Sequence, residues 1–187
     1  MSITDQQMKQ IEIFALNKYM KLDSAHDKDH ANRTVKLAEY IARKEGADIL
    51  VCRLGALLHQ YHPEEAIKVD EFLEKLNLEK NLREQIVHCI ETVSRSTIKN
   101  AKTLEAKVVF DADKLQILGP FGIIRQVAYF IESEKNNFHL AIEKTKKMQI
   151  DVYNLLQTQT SKDLAEKPHK MALDFFKIFD KWDMVDF

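Results

Sequence analysis

Apolar residues recur at spacings of three and four along almost the whole of this 187-residue chain. Near the amino terminus, for example, the pattern is formed by Ile11, Phe14, Ala15 and Tyr19. Such spacing places the apolar side chains on one face of an α-helix, which predicts amphipathic helices around a common core. Only four Gly and three Pro interrupt the pattern. We therefore expect an all-α protein without strands.

Breaks in the periodicity divide the chain into successive helices. Pro63 and the polar stretch SRSTIKNAK predict loops, and the clearest break is expected at Gly119, Pro120 and Gly122. No linker or repeat is visible, so we predict a single domain over residues 1–187, with the C-terminal helices of 138–182 packing on the rest. After two amphipathic segments, the predicted helices lie at about 47–59, 64–76, 81–93, 104–118, 138–157 and 169–182.

The charge balance excludes some classes of partner. With 28 basic and 29 acidic side chains, the chain has no bulk field to attract nucleic acid or a membrane surface. Cys52 and Cys89 lie in apolar segments without metal-binding spacing, so we interpret them as small buried hydrophobes. The chain shows neither a signal peptide nor an apolar run that could span a bilayer, and we expect a cytoplasmic protein.

Several ionisable residues interrupt apolar helical segments, where they are costly unless they bind something. His30 and Arg33 share one helix face, and His26 lies one turn earlier. His26 and His30 could form a metal-binding pair or a solvated helix start. His59 ends the apolar run LGALLH and could be a core histidine that bonds a backbone carbonyl. Asp113 lies among apolar residues and needs a cation or several donors.

Two imidazoles and a carboxylate from three helices predict a metal site at His30, His59 and Asp113. Mixed nitrogen and oxygen ligands suit Mn, Fe, Zn, Ni or Mg better than calcium. Asp111 is about 200° from Asp113 around a helix, so we expect only one of the two to face the same cavity. A metal ion there could activate water for the hydrolysis of an ester.

Three fragments carry a resemblance to a known family: HDKDHANRTVKLAEYIARKEGAD, LGALLHQ and VVFDADKLQILGPFGIIR. They resemble the HD-domain superfamily of metal-dependent phosphohydrolases, especially its small bacterial single-domain branch. The resemblance is strongest over about residues 20–130. It implies an all-α HD-domain helical bundle in which His30, His59 and Asp113 are metal ligands.

The chain departs from the family pattern at two carboxylates. Gln60 stands where the family has the Asp of its His-Asp pair, and Gln116 stands where the branch commonly has another Asp. Glutamine offers a neutral oxygen on a longer stem, so the metal should bind more weakly or be lost. Gln60 could serve as a fourth ligand or border the reacting water.

Other residues are candidates for substrate binding and catalysis. Arg33, Lys114 and Arg125 could contact phosphate, or they could be solvated charges and local ion pairs. Lys114 and Gln60 are also predicted to take part in catalysis. Glu64 could act as a general base in place of the missing carboxylate, or it could favour a helix start after Pro63.

Two further histidines are possible additional ligands. His62 could rotate into an emptied ligand position or be an exposed loop residue, and His88 is predicted to be a core histidine. His139 and His169 are expected to be peripheral.

Two functions follow from these residues. The first is a metal-dependent phosphohydrolase that attacks a small phosphate ester or nucleotide through a metal-bound water. The second is a catalytically degenerate binding or interaction module of the HD fold, for which Gln60 and Gln116 argue. Both predict a small phosphorylated partner, with no nucleic acid and no membrane. The sequence predicts no oligomeric state.

Overall fold

A computed structural model of the chain describes residues 2–185, and those residues form nine α-helices and no strand. The all-α prediction is confirmed. Short 3₁₀ helices occupy Ser24–His26, His59–Tyr61, Pro63–Glu65, Ile98–Asn100 and Leu115–Ile117. The α-helices are α1 Asp5–Tyr19, α2 Lys28–Glu45, α3 Ile49–Leu58, α4 Ala66–Lys75, α5 Lys80–Glu91, α6 Leu104–Lys114, α7 Gly119–Glu132, α8 Phe138–Leu155 and α9 Gln159–Met184.

The chain divides into two compact units, one ending at Asp113 and the other beginning at Lys114. The first unit contains α1 to α5 and nearly all of α6, and the second contains α7, α8 and α9. A single domain over residues 1–187, with the C-terminal helices packed on the rest, stays a prediction.

Helix α3 lies at the centre of the first unit because it is apolar on nearly every side. Gly55 brings it close to two other helices: a Cβ at this position would lie 2.9 Å from Cβ of Cys89 and 3.0 Å from a methyl of Val109. Cys52 and Cys89 are free and buried, and burial raises the pKa of both thiols, which confirms that they act as hydrophobes. The completely buried side chains of α3 are Val51, Cys52, Leu54, Ala56 and Leu58.

Side-chain caps fix the starts of the two helices that lead into the candidate site. Asp27 accepts a hydrogen bond from the backbone N–H of His30 at the start of α2. Asp48 accepts from the N–H groups of Leu50 and Val51 at the start of α3. Such caps satisfy N–H groups that have no partner within the helix.

In the second unit, a buried glutamine of α8 holds the backbone between the Leu115–Ile117 turn and α7. Oε1 of Gln149 accepts from the N–H of Gly119 at 2.8 Å, and Nε2 donates to the carbonyl of Ile117 at 2.6 Å. Gly119 has a φ of +75°, which disfavours any side chain there. The predicted break at this point is therefore present, and Gln149 stabilises it.

The break is shorter than predicted, and α7 was not predicted. Gly122 lies inside α7, where a Cβ would come 1.8 Å from the carbonyl oxygen of Ile117. This glycine is needed for close packing and does not end a helix. The helix predicted at 104–118 ends at Lys114, because its last turn tightens into the 3₁₀ helix.

The C-terminal helix begins ten residues before the predicted start at 169. It runs through Pro168, whose ring fills the space beside Gly119: a Cβ on that glycine would lie 2.6 Å from Cβ of Pro168. Proline usually ends a helix, and for this reason the predicted start is wrong. Two clusters form the core of this unit: Ile117, Leu118, Val152, Leu156 and Ala165, and Ile123, Ile142, Ala172 and Phe176.

A helix that crosses a bilayer must be long and almost entirely apolar. No helix within residues 2–185 meets both requirements.

Candidate metal centre

His30 is fixed by the capped first turn of α2. Its side chain is completely buried, and the bond from its backbone N–H to Asp27 holds this turn in place. The hydroxyl of Thr34, one turn later, donates to the carbonyl of His30 at 2.8 Å. The imidazole therefore projects from a rigid part of the helix into the interior.

His59 follows the last residue of α3 and is also buried. Its Nδ1 lies 2.6 Å from the carbonyl oxygen of Ala56. Because a carbonyl only accepts, Nδ1 must carry the proton, and the lone pair of Nε2 is left to face the cluster. The local turn thus selects the tautomer that a metal ligand requires.

Tyr19 supports His59 from α1. Its hydroxyl donates to the carbonyl of Leu57 at 2.9 Å and lies 3.5 Å from Nδ1 of His59. Burial, and then the charge of Asp113, raises the pKa of Tyr19, so the hydroxyl stays protonated. The sequence showed Tyr19 only as part of a core face, and no local signal links it to His59, which is 40 residues away.

Asp113 completes the cluster from the end of α6. Its Oδ1 lies 3.3 Å from Nε2 of His30 and 3.7 Å from Nε2 of His59, and the two imidazole nitrogens are 3.1 Å apart. An ion about 2.1 Å from each donor requires donor separations of about 3.0 Å at 90° and about 3.4 Å at the tetrahedral angle. The three groups therefore fit one transition-metal ion, and they could bind it.

Gln60 borders the same point and is nearly completely buried. Its Nε2 lies 2.8 Å from Nε2 of His59 and 3.3 Å from Nε2 of His30. A half-turn of the amide exchanges Nε2 and Oε1 and would point an oxygen at the cluster instead. Gln60 can thus either donate to the imidazoles or offer a neutral ligand oxygen.

The predicted substrate and acid–base residues of the first unit lie in different environments. Arg33 is half-buried on α2, three residues after His30. Glu64 is exposed in the Pro63–Glu65 turn. Its neighbour Glu65 forms ion pairs with Lys18 and Lys68. The roles of Arg33 and Glu64 stay predictions.

Three predicted residues belong to the second unit, which begins at Lys114. Lys114 is half-buried. Gln116 and Arg125 are buried, and the guanidinium of Arg125 lies within 3.5 Å of the backbone carbonyl of Gln116. The proposed phosphate contacts of Lys114 and Arg125 also stay predictions.

The remaining histidines lie outside the cluster. His26 belongs to a 3₁₀ turn before α2, so the prediction that it lies one turn earlier on the helix of His30 is wrong. Its Nδ1 pairs with Asp23 at 2.9 Å, and its ring makes an edge contact with that of His30, with the ring centres 5.6 Å apart. His62 is exposed, and Nε2 of His88 accepts from the N–H of Lys102.

The three cluster residues lie in a segment of the chain that matches a known family of domains. Residues 28–118, which include all three of them, match the family model of the HD domain. This segment of the chain is thus similar to an HD domain. The matched residues include Gln60, so the similarity is kept despite the change in the His-Asp pair.

The chain is similar to several bacterial proteins over nearly its whole length. The uncharacterized protein YpgQ of Bacillus subtilis (strain 168) is 28% identical over 94% of this chain and 93% of its own length. The structure of YpgQ in complex with ADP has a TM-score of 0.76, with 24% identity and 94% of each chain covered.

Two further structures extend the comparison. A Lactobacillus plantarum structure has a TM-score of 0.82, with 25% identity over 99% of this chain and 100% of its own. An HD-superfamily hydrolase of Bacillus thuringiensis has a TM-score of 0.70, with 27% identity over 96% and 97% of the two chains. These similarities confirm the HD resemblance and the all-α fold class, and they support a hydrolase in general terms.

Proposed function

We propose that this chain is a metal-dependent phosphohydrolase that acts on a small phosphate ester or a nucleotide. The observation that carries the proposal is the approach of His30, His59 and Asp113 to a single point, at distances that suit one ion. The similarity to an HD-superfamily hydrolase supports the reaction class. The complex of the relative YpgQ with ADP favours a nucleotide among the phosphate esters.

Each residue has a distinct role in this proposal. A divalent ion at the cluster would polarise a phosphoryl oxygen and lower the pKa of water towards neutrality. His30 and His59 present neutral nitrogen donors, and the Ala56 carbonyl holds His59 in the required tautomer. Asp113 supplies negative charge. Gln60 supplies an oxygen without charge, so the site holds one carboxylate where the family has two.

The substrate contacts complete the proposal. Arg33, on the same helix as His30, is proposed to bind phosphate through the paired N–H groups of its guanidinium. Lys114 and Arg125 are proposed to add positive charge, and Glu64 is the proposed general base. Removing each charge in turn should raise KM for the phosphate-binding residues and lower kcat for the base.

The test is metal content after mild purification, combined with hydrolysis of a panel of phosphate esters and nucleotides in the presence of Mn²⁺. We expect about one metal ion per chain and turnover of at least one substrate. His59→Gln removes a proposed ligand and should lower metal affinity by more than the roughly 100-fold that the loss of an outer-shell partner costs at most. The matched control is His139→Gln, which alters an exposed histidine. A native chain without metal and without turnover would contradict the proposal.

A second candidate is a binding module that keeps the fold but has lost the reaction. It is favoured by the contact of the Gln60 amide nitrogen with both imidazole nitrogens. In that orientation the amide N–H groups occupy the lone pairs that a metal needs. Gln116 adds a second position where the branch commonly has a carboxylate.

The substitution Gln60→Asp separates the two functions. It restores an anionic ligand, so metal affinity should rise at least about tenfold. New hydrolysis in this variant would identify a decayed enzyme, whereas high activity in the native chain would reject the module. Gln60→Asn is the matched control, because it shortens the side chain to the same length without adding charge.

A further inference from the structure

Helix α9 carries two apolar stripes, and only one of them is buried in its own unit. The buried stripe contains Ala165, Ala172 and Phe176, which pack in the cores of the second unit. The second stripe is rotated by about 100° around the helix and is between 43% and 66% exposed. Its members are Met171, Phe175, Ile178 and Trp182, and we call it the α9 seam.

The spacing of the α9 seam is that of a coiled coil. Successive members are separated by four, three and four residues, which is the alternation of the a and d positions in a heptad. The seam begins after Pro168, the proline inside α9. An amphipathic surface helix needs only the stripe that faces its own core. The second stripe therefore has the pattern of a helix that packs against another helix.

The exposed area of the seam suits an interface. The four side chains expose on the order of 500 Å², so two copies would bury about 1,000 Å² in total, the size at which a biological interface begins. An apolar patch of this size lies at the upper end of what a monomeric protein exposes and often marks an interaction site.

We propose that a second copy of this chain covers the α9 seam, with the two helices antiparallel. In a two-fold arrangement the same surface serves both partners, so each contact between two different positions occurs twice. One register packs Phe175 against the partner's Ile178 and Met171 against the partner's Trp182. All four of these side chains then meet an apolar side chain, which is the self-complementarity that a homodimer requires.

The same register is also complementary in charge. It places Asp174, which flanks the seam, opposite the partner's Lys181, and the two-fold axis repeats this pair. Within its own chain, Asp174 has an exposed ion pair with Lys177, which contributes little to stability. A parallel arrangement would instead place Asp174 opposite the partner's Phe179. The charges therefore favour the antiparallel dimer.

The first test is the mass of the full chain in solution across a concentration series, by light scattering or sedimentation. We expect a dimer that dissociates on dilution. Ile178→Glu places two charges at the centre of the interface and should give a monomer at concentrations where the native chain is dimeric. Ile67→Glu is the matched control, because Ile67 is equally apolar and is 76% exposed on α4. It should leave the dimer intact.

A charge exchange tests the antiparallel register. Asp174→Lys and Lys181→Asp each create two pairs of like charge, and each should weaken the dimer roughly tenfold. The double variant restores opposite charges and should recover the native dissociation constant. Lys162→Asp, at an exposed position of α9 about 170° around the helix from the seam, is the control for a change of charge alone.

These variants give clear contrary outcomes, with circular dichroism used to establish that each is folded. A native chain that stays monomeric at all concentrations, including one that binds only a different protein through the seam, would overturn the proposal. A dimer that survives Ile178→Glu would overturn the role of the seam. Single exchanges that the double variant does not rescue would overturn the antiparallel register.

Discussion

Two buried glutamines, Gln60 in the first unit and Gln149 in the second, have opposite surroundings. Among residues 2–185, the side chain of Gln149 bonds only backbone groups, accepting from Gly119 and donating to Ile117. Gln60 faces two imidazole nitrogens. Both side chains are almost completely shielded, at 0% and 3% exposure for Gln149 and Gln60. Since the two side chains are almost equally buried, it is the hydrogen-bond partners of each amide that distinguish a structural glutamine from one at a reactive site.

The cost of removing each amide should follow from its partners. Without Gln149, the buried N–H of Gly119 and the buried carbonyl of Ile117 would lose the side-chain partner that α8 gives them, at a turn that cannot easily admit water. Without Gln60, the imidazole lone pairs could still accept a cation. The region around Gln149 should therefore dominate stability, whereas the region around Gln60 should dominate metal binding.

The largest expected effect is that of Gly122→Ala in the region held by Gln149. A methyl group would lie 1.8 Å from the Ile117 carbonyl, so the backbone must shift. We expect a loss of more than about 4 kcal/mol in the free energy of unfolding, or failure to fold. Urea denaturation measures the loss.

Gly46→Ala is the control for this substitution. Gly46 has a φ of +78° but no heavy atom within 4 Å of the added methyl, so only backbone strain of about 1 kcal/mol applies. If Gly122→Ala lowered the free energy of unfolding no more than Gly46→Ala does, the contact of Gly122 with the Ile117 carbonyl would not be important for stability.

The second prediction removes the amide of Gln149 itself. Gln149→Leu keeps a similar volume but strands the two backbone groups, which should lower the free energy of unfolding by about 2–4 kcal/mol. Metal content should not change. Gln159→Leu, at an exposed glutamine that bonds Asp163, should cost less than about 0.5 kcal/mol. If Gln149→Leu and Gln159→Leu lowered the free energy of unfolding equally, the bonds of Gln149 to the backbone would not have the structural role described above.

The third prediction makes the same change in the other region. In the presence of a chelator, Gln60→Leu should cost less than about 1 kcal/mol, because no backbone group is stranded. Its metal affinity should fall by about tenfold if the amide oxygen is a ligand. Calorimetric titration with Mn²⁺ measures the affinity. A loss of stability as large as that of Gln149→Leu would show that Gln60 is a structural residue as well.

The sequence predicted the cluster but not its support, for a physical reason. His30, His59 and Asp113 are costly residues in apolar helices, and this local anomaly is visible in the letters alone. The contact of Tyr19 with His59 and the pair formed by Gln149 with the Ile117 turn depend on packing between distant segments. Such contacts leave no local pattern.

The errors in the helix boundaries have a similar origin. Gly122 and Pro168 have low helix propensity, yet both lie inside helices. In each case close packing of the second unit overrides the local preference: Gly122 meets the Ile117 carbonyl, and Pro168 meets Gly119. The helix predicted to end at 118 ends four residues earlier, at Lys114, where the 3₁₀ turn begins. The other predicted ends agree to within about two residues, the usual spread of helix ends.

The smallest expected effect concerns His169, which stacks on Tyr153 in the region of Gln149 with its ring centre 4.0 Å away. Burial lowers the pKa of His169 below 6.5, and a hydrogen bond to the backbone of Gln149 offsets only part of this. Nδ1 is buried and has no hydrogen-bond partner in the described residues, so protonation would add an unsatisfied N–H.

The sign of the pH dependence follows from this shift. Because the unfolded chain binds the proton more readily, the contribution of His169 is complete above about pH 6.5 and declines as the pH falls below it. Replacing the ring by His169→Phe should flatten the pH dependence of the urea midpoint between about pH 5 and 7, roughly the range in which histidine titrates. His139→Phe, at an exposed histidine, should leave that slope unchanged. If His169→Phe left the slope unchanged, another group would be responsible for the pH dependence. The buried Nδ1 of His169 would then not destabilise the fold on protonation.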